Sequence, residues 1–365
     1  MSRVVVGMSG GVDSSVCAYL LKEQGYDVIG VTLRLWDDDE EVCTRAGHVG
    51  CCGASAVEDA MRVCSMLSIP FHVFQMQELF RETVVDYFCD SYRNGRTPNP
   101  CIACNRYLKW GAMLQKAKEL GADYIATGHY ARVGRTDEGR YAVFRSKAQG
   151  KDQTYVLYNL TQEQLKHTLM PMGAYQKEEV RVIARSIGLA VADKRDSQDI
   201  CFVPDGDYKA FLEREYGAEN LPGKGHFVLT DGRVVGEHRG IACYTIGQRK
   251  GLGLALGEPV FVNRINVQKN EVVLGTDREC FTDSLVASAV NHGSVERFNE
   301  DTEYIGKIRY SDSGTPCRVR YRNGEHTEIE VHFVRPVRAV TPGQAVVLYD
   351  GDAVAGGGVI ITEHS

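Results

Sequence analysis

The run Val4-Val5-Val6-Gly7-Met8-Ser9-Gly10-Gly11-Val12-Asp13-Ser14-Ser15 opens the chain with an apolar stretch that breaks into a glycine turn. Three β-branched residues in succession suit a strand buried on both faces. The paired glycines let the backbone turn tightly and approach a ligand. Val16, Leu20 and Leu21 then mark the apolar face of a helix over 14–24, stopped by Gly25. A helix that starts directly after such a turn aims its unpaired N–H groups into it and favours an anion, in practice a pyrophosphate. The string lacks the Gly-Lys-Ser/Thr of a Walker loop and the spacing of G-x-G-x-x-G. Two glycines with Asp13 or Ser14 as N-cap would read as an ordinary turn, but the full Ser9–Ser15 string is more specific.

Outward from this loop the same rhythm continues. Strands are expected over 27–33, 71–76 and 122–127, and helices over 54–67 and 108–120. Alternation of this kind implies a parallel sheet with helices on both faces and ligands beyond its carboxyl edge. After about Asp207 short strands and glycine turns take over, and from about Phe281 the pattern is all β, as in a small barrel. The expected fold class is α/β: an N-terminal doubly wound, Rossmann-like parallel sheet in residues 1–206, a small central domain over 207–278 and a β-barrel over 279–365. A chain of 365 residues is too long for one ordinary core.

Composition narrows the setting. No apolar stretch approaches the ~20 residues that span a bilayer, and no signal peptide is visible ahead of the first strand. A soluble cytoplasmic protein with no membrane partner is expected. Twelve cysteines spread along such a chain favour metal-binding, catalytic or buried thiols over a disulfide framework. The net charge of -6 argues against a wholly basic surface and leaves room for local patches.

Three cysteines stand out. Cys101 and Cys104 form a C-x-x-C within Thr97-Pro98-Asn99-Pro100-Cys101-Ile102-Ala103-Cys104-Asn105, and Cys201 follows Asp196-Ser197-Gln198-Asp199-Ile200. Two prolines stiffen the approach to the pair. Arg106 and Lys109 place cations just beyond Cys104, and a nearby cation or helix N-terminus lowers a thiol pKa toward a nucleophilic thiolate. Alone, a C-x-x-C also fits half a metal site or a redox pair. Beside a phosphate loop it points to thiolation, the loop serving activation and the thiols bringing sulfur. A second group, Cys43, His48, Cys51 and Cys52, has ligand types that suit zinc, although adjacent cysteines are awkward as joint ligands, and ordinary thiols are the simpler reading. Cys17 and Cys64 fall on helix faces and are expected in the core.

The loop resembles that of the adenine-nucleotide α-hydrolase superfamily of ATP pyrophosphatases (PP-loop enzymes). The chain as a whole resembles the bacterial tRNA-specific 2-thiouridylases. The matching segments are the loop, Arg96 to Lys109, Ala126 to Ala131, Lys151-Asp152-Gln153, Asp196 to Phe202, Thr245 to Leu252 and Pro342-Gly343-Gln344.

That resemblance implies ATP as substrate with Mg²⁺, Asp13 helping to hold the metal, and tRNA as the acceptor, its wobble uridine thiolated at position 2. It implies Cys104 as nucleophile and Cys201 as the residue that receives a persulfide from a donor protein. It places ATP at Gly7, Met8, Ser9, Gly10, Gly11, Val12, Asp13, Ser14, Leu33 and Gly128. The target base falls to Asn99, Pro100 and Cys101, and further tRNA contacts to His129, Lys151, Asp152, Gln153, Arg309, Tyr310 and Gln344. Some members carry Asp at the position of Cys101. With Cys here, Cys101, Cys104 and Cys201 could instead hold an iron–sulfur cluster with one iron open. The alternative is persulfide chemistry that ends in sulfide release or a Cys104–Cys201 disulfide. A superfamily amidotransferase such as a GMP synthetase, and a non-catalytic sulfur carrier, are the rival readings.

Two basic groups rise above an ordinary solvated surface. Arg239, Arg249 and Lys250 surround the Gly247–Gly253 loop. Arg318, Arg320 and Arg322 alternate along one expected strand and share a face, with Tyr321 on the other. Residues 276–365 hold nine Lys/Arg against fourteen Asp/Glu, so phosphate contact there would be a local patch.

Overall fold

The computed structural model describes residues 1–36, 54–192, 194, 200–203 and 206–362. Cys43, His48, Cys51 and Cys52, and the Asp196–Asp199 part of the Cys201 segment, lie outside the described residues. No helix among the described residues is long and apolar enough to cross a membrane.

Strands β1 (Arg3–Gly7), β2 (Asp27–Arg34), β3 (Phe71–Gln75), β4 (Tyr124–Thr127) and β7 (Thr168–Leu169) form a parallel sheet in the order β3-β2-β1-β4-β7. Strands β5 (Arg132–Arg135) and β6 (Tyr141–Phe144) form a hairpin between β4 and β7. The continuous Val4-Val5-Val6 run is fully buried because helices cover both faces of its sheet. Helices α1 (Val12–Glu23) and α2 (Ala54–Met66) pack on one face, with Cys17 and Cys64 buried in that core. The chain leaves β1 toward β2 on one side and β4 on the other, so the carboxyl ends of β1 and β4 flank the switch point at which such sheets bind ligands.

Two helical stretches are longer than the sequence pattern alone implies. Residues 77–93 are helical throughout, and the helix expected over 108–120 begins at Pro100 and runs to Glu119. Asn99 starts it, its Oδ1 accepting from the Cys101 and Ile102 N–H groups at 3.1 and 3.4 Å, with Pro100 in the first turn. The Thr97-Pro98-Asn99-Pro100 approach is therefore a helix start, and both cysteines of the C-x-x-C lie inside the helix. Its middle, Cys104–Met113, is wound as a π-helix.

The central region forms a four-stranded sheet from β8 (Gly225–Leu229), β9 (Val234–His238), β10 (Phe261–Asn266) and β11 (Glu271–Gly275), ordered β10-β11-β8-β9. The last region is a closed six-stranded antiparallel barrel: β12 (Phe281–His292), β13 (Tyr304–Lys307), β14 (Thr315–Tyr321), β15 (Ile329–Arg338), β16 (Ala345–Asp350) and β17 (Ala353–Ile361), closed by β12 on β17. Arg318 and Arg320 stand exposed on β14, opposite His332 and Glu330, while Arg322 lies past the strand end. The expected three-arginine stripe is thus two arginines on a strand, one of them facing a carboxylate.

Contacts that tie the barrel to the parallel-sheet region include the following. Hairpin β5–β6 joins β17 through Phe144 and Ala353. The Tyr155 hydroxyl donates to the Ala345 carbonyl at 2.8 Å. The turn Pro342-Gly343-Gln344 holds the approach to the thiol helix: Thr97 N–H donates to Pro342 O at 2.8 Å, and Gln344 Nε2 to the Thr97 and Pro98 carbonyls at 2.9 and 3.2 Å.

Candidate active site

A cavity of about 520 Å³ opens at the switch point, within the roughly 300–1,000 Å³ of small-molecule sites. Its floor is the glycine loop: Gly7, Met8, Ser9, Gly11, Val12, Asp13 and Ser14 all line it. Gly10 does not, but its φ of +65° makes the turn, and a Cβ there would meet the Ala56 carbonyl oxygen at 2.5 Å. Side chains brace the loop from inside. Ser9 and Ser14 hydroxyls lie 3.2 Å apart, and Ser15 Oγ donates to Gly11 O at 2.8 Å. The N-cap of α1 is Gly11, which offers no side chain, and neither Asp13 nor Ser14 takes that place. The first N–H groups of α1, which no helical carbonyl can satisfy, face an anion site open at its end.

Gly128 follows β4 on the opposite wall. A Cβ there would lie 2.7 Å from the Ser14 nitrogen and 2.9 Å from Asp13 C, so the two loops close on each other only because this residue is glycine. Leu33 from β2 completes the apolar side.

Lysines give the cavity its charge. Lys109, Lys151 and Lys194 line it. Lys194 Nζ donates to Gly10 O and to Asp59, both at 3.0 Å. Asp13 is the acidic residue of the wall, and it is committed: buried Lys177 reaches both its oxygens at 2.8 and 2.9 Å, and the Tyr130 hydroxyl donates at 2.8 Å. The expected metal role for Asp13 does not fit this arrangement, because a cation is already seated on its carboxylate. The sequence does not single out Lys177, Lys194 or Tyr130 for this wall. Lys177 begins an amphipathic helix and looks like surface in the sequence, and only the fold turns it inward.

The thiol side is set by the π winding. Cys104, Lys109 and Met113 all line the cavity. In an ordinary helix residues five and nine apart diverge, whereas an i→i+5 ladder returns to one side every four to five residues. Lys109 is held by Asn105 Oδ1 at 2.9 Å, and buried Asn105 in turn donates to Val156 O at 2.9 Å. Cys104 therefore shares the cavity with the phosphate loop and an ammonium group, while Arg106 turns away over the Tyr107 ring.

Cys101 and Cys201 are exposed and do not line the cavity. Cys201 is anchored by its neighbours: Phe202 is buried in an aromatic cluster with Trp36, Phe80, Phe88 and Phe211, at centroid distances of 6.3, 5.8, 5.1 and 5.1 Å. Cys104 and Ile200 pack against the same cluster, so both thiols border one core. Among the described residues no group of three His, Cys, Asp or Glu side chains is placed to hold a metal. Of Cys101, Cys104 and Cys201, Cys104 is the one that lines the cavity.

The residues expected at the RNA divide. His129, Lys151, Gln153 and Tyr310 line the cavity. His129 bonds Thr127 Oγ1 at 2.7 Å, and burial, helped by the Lys109 charge, holds its pKa well below the usual range. Gln153 Oε1 accepts from Tyr130 N–H at 2.9 Å. Tyr310 reaches in from the barrel and stands edge-on to Tyr155, 6.3 Å away. The others face elsewhere. Asp152 accepts from Ser146 N–H and Thr154 Oγ1 at 3.0 and 2.5 Å, Arg309 donates to the Arg338 carbonyl, and Asn99 and Gln344 serve the helix start described above. Arg249 and Lys250 are exposed.

A parallel sheet that delivers a glycine loop and a helix N-terminus into a lysine-lined cavity defines a nucleotide-binding domain of the HUP class. Sequence profiles agree: residues 2–205 match "tRNA methyl transferase HUP domain", 209–276 "tRNA methyl transferase PRC-barrel domain" and 282–360 "Aminomethyltransferase beta-barrel domain". The chain is 56% identical over 361 residues to the tRNA-specific 2-thiouridylase MnmA of Lachnoclostridium phytofermentans, covering 99% of this chain and 100% of that one. It is 52% identical to the MnmA of Clostridium acetobutylicum (98% and 99% covered) and 53% to that of Carboxydothermus hydrogenoformans (98% and 97%). The chain belongs to the tRNA-specific 2-thiouridylase family. Among solved structures, a 4-thiouridine synthetase–RNA complex with ATP aligns with TM-score 0.36 at 19% identity over 59% of this chain and 50% of that one. An NMN synthetase from Francisella tularensis aligns with TM-score 0.35 at 16% over 59% and 72%.

Proposed function

We propose that this protein is a cytoplasmic tRNA-uridine 2-sulfurtransferase, which uses ATP to replace the 2-oxygen of an anticodon wobble uridine by sulfur. The observation that carries this reading is the opening of Cys104 into the same cavity as the pyrophosphate loop. The profile descriptions speak of methyl transfer and the relatives' names of thiolation; a thiol beside an ATP-type loop favours thiolation.

ATP lies with its phosphates on Ser9–Ser14 and the α1 N-terminus, and Gly128 and Leu33 flank the adenosine. Lys109, Lys151 and Lys194 offset the polyphosphate charge. Magnesium, an ion that keeps few protein ligands, would be held mainly by the ATP phosphates and would offset their charge. The target uridine leaves its stack to enter the cavity, between the thiol helix and the Lys151, Gln153, His129 and Tyr310 wall. Its O2 attacks the α-phosphorus and pyrophosphate departs, so that a poor leaving group becomes adenylate.

The terminal sulfur of a Cys201 persulfide, loaded by a donor protein, then adds at C2 and AMP leaves. Cys104 thiolate attacks Cys201 Sγ, forming a Cys104–Cys201 disulfide and releasing the thiolated base. The two cysteines supply the two electrons that reduce the transferred sulfur, and an external thiol resets them. The common aromatic core under Cys104 and Phe202 supports this pairing. The placement of Cys101 and Cys201 away from the cavity favours it over a cluster.

Mass spectrometry of nucleosides from tRNA incubated with enzyme, ATP and a persulfide donor tests the reading. 2-Thiouridine formed with one pyrophosphate per sulfur is expected. Pyrophosphate release that ignores added tRNA points instead to a synthetase.

A further inference from the structure

A second cavity, of about 470 Å³, lies on the other side of the thiol helix. Its walls carry Tyr87, Tyr107 and Tyr158, Arg106, Glu82 and Asn99, and the barrel closes it through Gly343, Ala345 and Val359. The reaction scheme above does not use it.

Its chemistry is that of a heterocycle site. Three tyrosines line it, and burial pushes the Tyr158 and Tyr87 hydroxyls above their usual pKa. Arg106 lies 5.4 Å from the Tyr107 ring centroid, and aromatic rings and guanidinium groups are the side chains on which proteins stack unpaired bases. Glu82 and Arg106 together make the lining mixed in charge, which disfavours a bare phosphate and suits a ring bearing both donors and acceptors. Asn159, 6% exposed, also lines the cavity, and its buried Oδ1 has no hydrogen-bond partner. A buried acceptor left unmet is costly and marks a place for a donor.

Position ties this cavity to the first. One helix separates them: Cys104 and Lys109 face the ATP side, Ile102, Ala103, Arg106 and Tyr107 the other. A helix with its side chains is about 10–12 Å across, a span that neighbouring nucleotides of an unpaired strand cover.

We propose that this cavity takes the base of a nucleotide flanking the target uridine, splayed out to the opposite side of the thiol helix, so that the enzyme grips two bases across one helix. The proposal rests on the tRNA reading above.

The test uses anticodon stem-loops with each nucleotide flanking the target made abasic in turn. Wild type, Tyr107→Ala and Arg106→Ala are compared by kcat/KM for thiolation, with the KM for ATP as a check of folding. One abasic position is expected to lower wild-type kcat/KM roughly tenfold to a hundredfold. Tyr107→Ala should lose as much on intact RNA with ATP KM unchanged, and should lose little more on the abasic RNA. Arg106→Ala should show the same pattern more weakly. Full, additive abasic losses in both variants, or no loss from either substitution, overturn the inference while leaving the thiolation reading in place. Failure of wild type to thiolate the intact stem-loop removes that reading and this one together.

Discussion

The two halves of the active cavity are built by different physics. The phosphate half is made of backbone: a buried strand, a turn at positive φ, a helix end, and a facing glycine that lets the loops touch. The thiol half is made of side-chain packing: a π-wound helix and a cysteine segment, both resting on one aromatic cluster, braced from outside by a barrel turn. A backbone site is rigid and fails by steric insertion. A packed site can shift and fails by loss of filling. Adenylation needs fixed geometry, whereas sulfur delivery has to bring an exposed cysteine to a cavity cysteine.

The sharpest break between the halves is Cys104→Ser. Thiolation should fall by roughly 10³-fold or more, as for other lost nucleophiles, while ATP still binds, as seen by nucleotide titration. Normal thiolation by this variant would remove Cys104 from the mechanism. Phe202→Ala comes next. Deleting a buried aromatic costs about 3–5 kcal/mol, read as a drop in the denaturant midpoint. The cost falls on the cluster under both thiols, so the rate of sulfur transfer should drop more than the affinity for ATP. Equal loss of both would show that the halves are not separately supported.

Gly128→Ala probes the other half. Its Cβ would need the Ser14 nitrogen, 2.7 Å away, to move. Overpacking of this kind costs roughly 1–3 kcal/mol, placed at the nucleotide. The KM for ATP should rise about tenfold to a hundredfold, and alkylation of Cys104 by a small reagent should proceed at the wild-type rate. Unchanged ATP binding would show that the two loops can part.

The same division explains what the sequence discloses. The phosphate half is local: Val4 to Ser15 carry strand, turn and helix within a dozen residues, so β1, the loop and α1 can be read directly. The thiol half is tertiary. Cys104 is visible as a C-x-x-C, but the helix expected over 108–120 gives no sign of its start at Pro100, and π winding leaves no residue signature. Lys177 and Lys194 are ordinary lysines until the fold carries them to Asp13 and Gly10. Hairpin β5–β6 is short and half polar, and it becomes a strand pair through its junction with β17. Spacing along the chain does not disclose that Cys104 lines the cavity while Cys101 and Cys201 do not.

Gln344 carries the smallest effect and the finest distinction. By resemblance it belongs to the RNA, yet its amide donates to the Thr97 and Pro98 carbonyls. Two such bonds together contribute about 1–3 kcal/mol, which Gln344→Ala would remove. If its work is to hold the thiol helix start, the loss appears in kcat for thiolation, on a minimal stem-loop as much as on full tRNA, and the KM for RNA stays put. If its work is to touch RNA, KM rises and kcat does not. Gln344→Glu separates the cases further, because a carboxylate repels both the carbonyls and the phosphates but disturbs only the latter in a salt-dependent way. A kcat effect insensitive to salt would show that the barrel reaches the chemistry by positioning the thiol side, the half of the cavity that depends on being held.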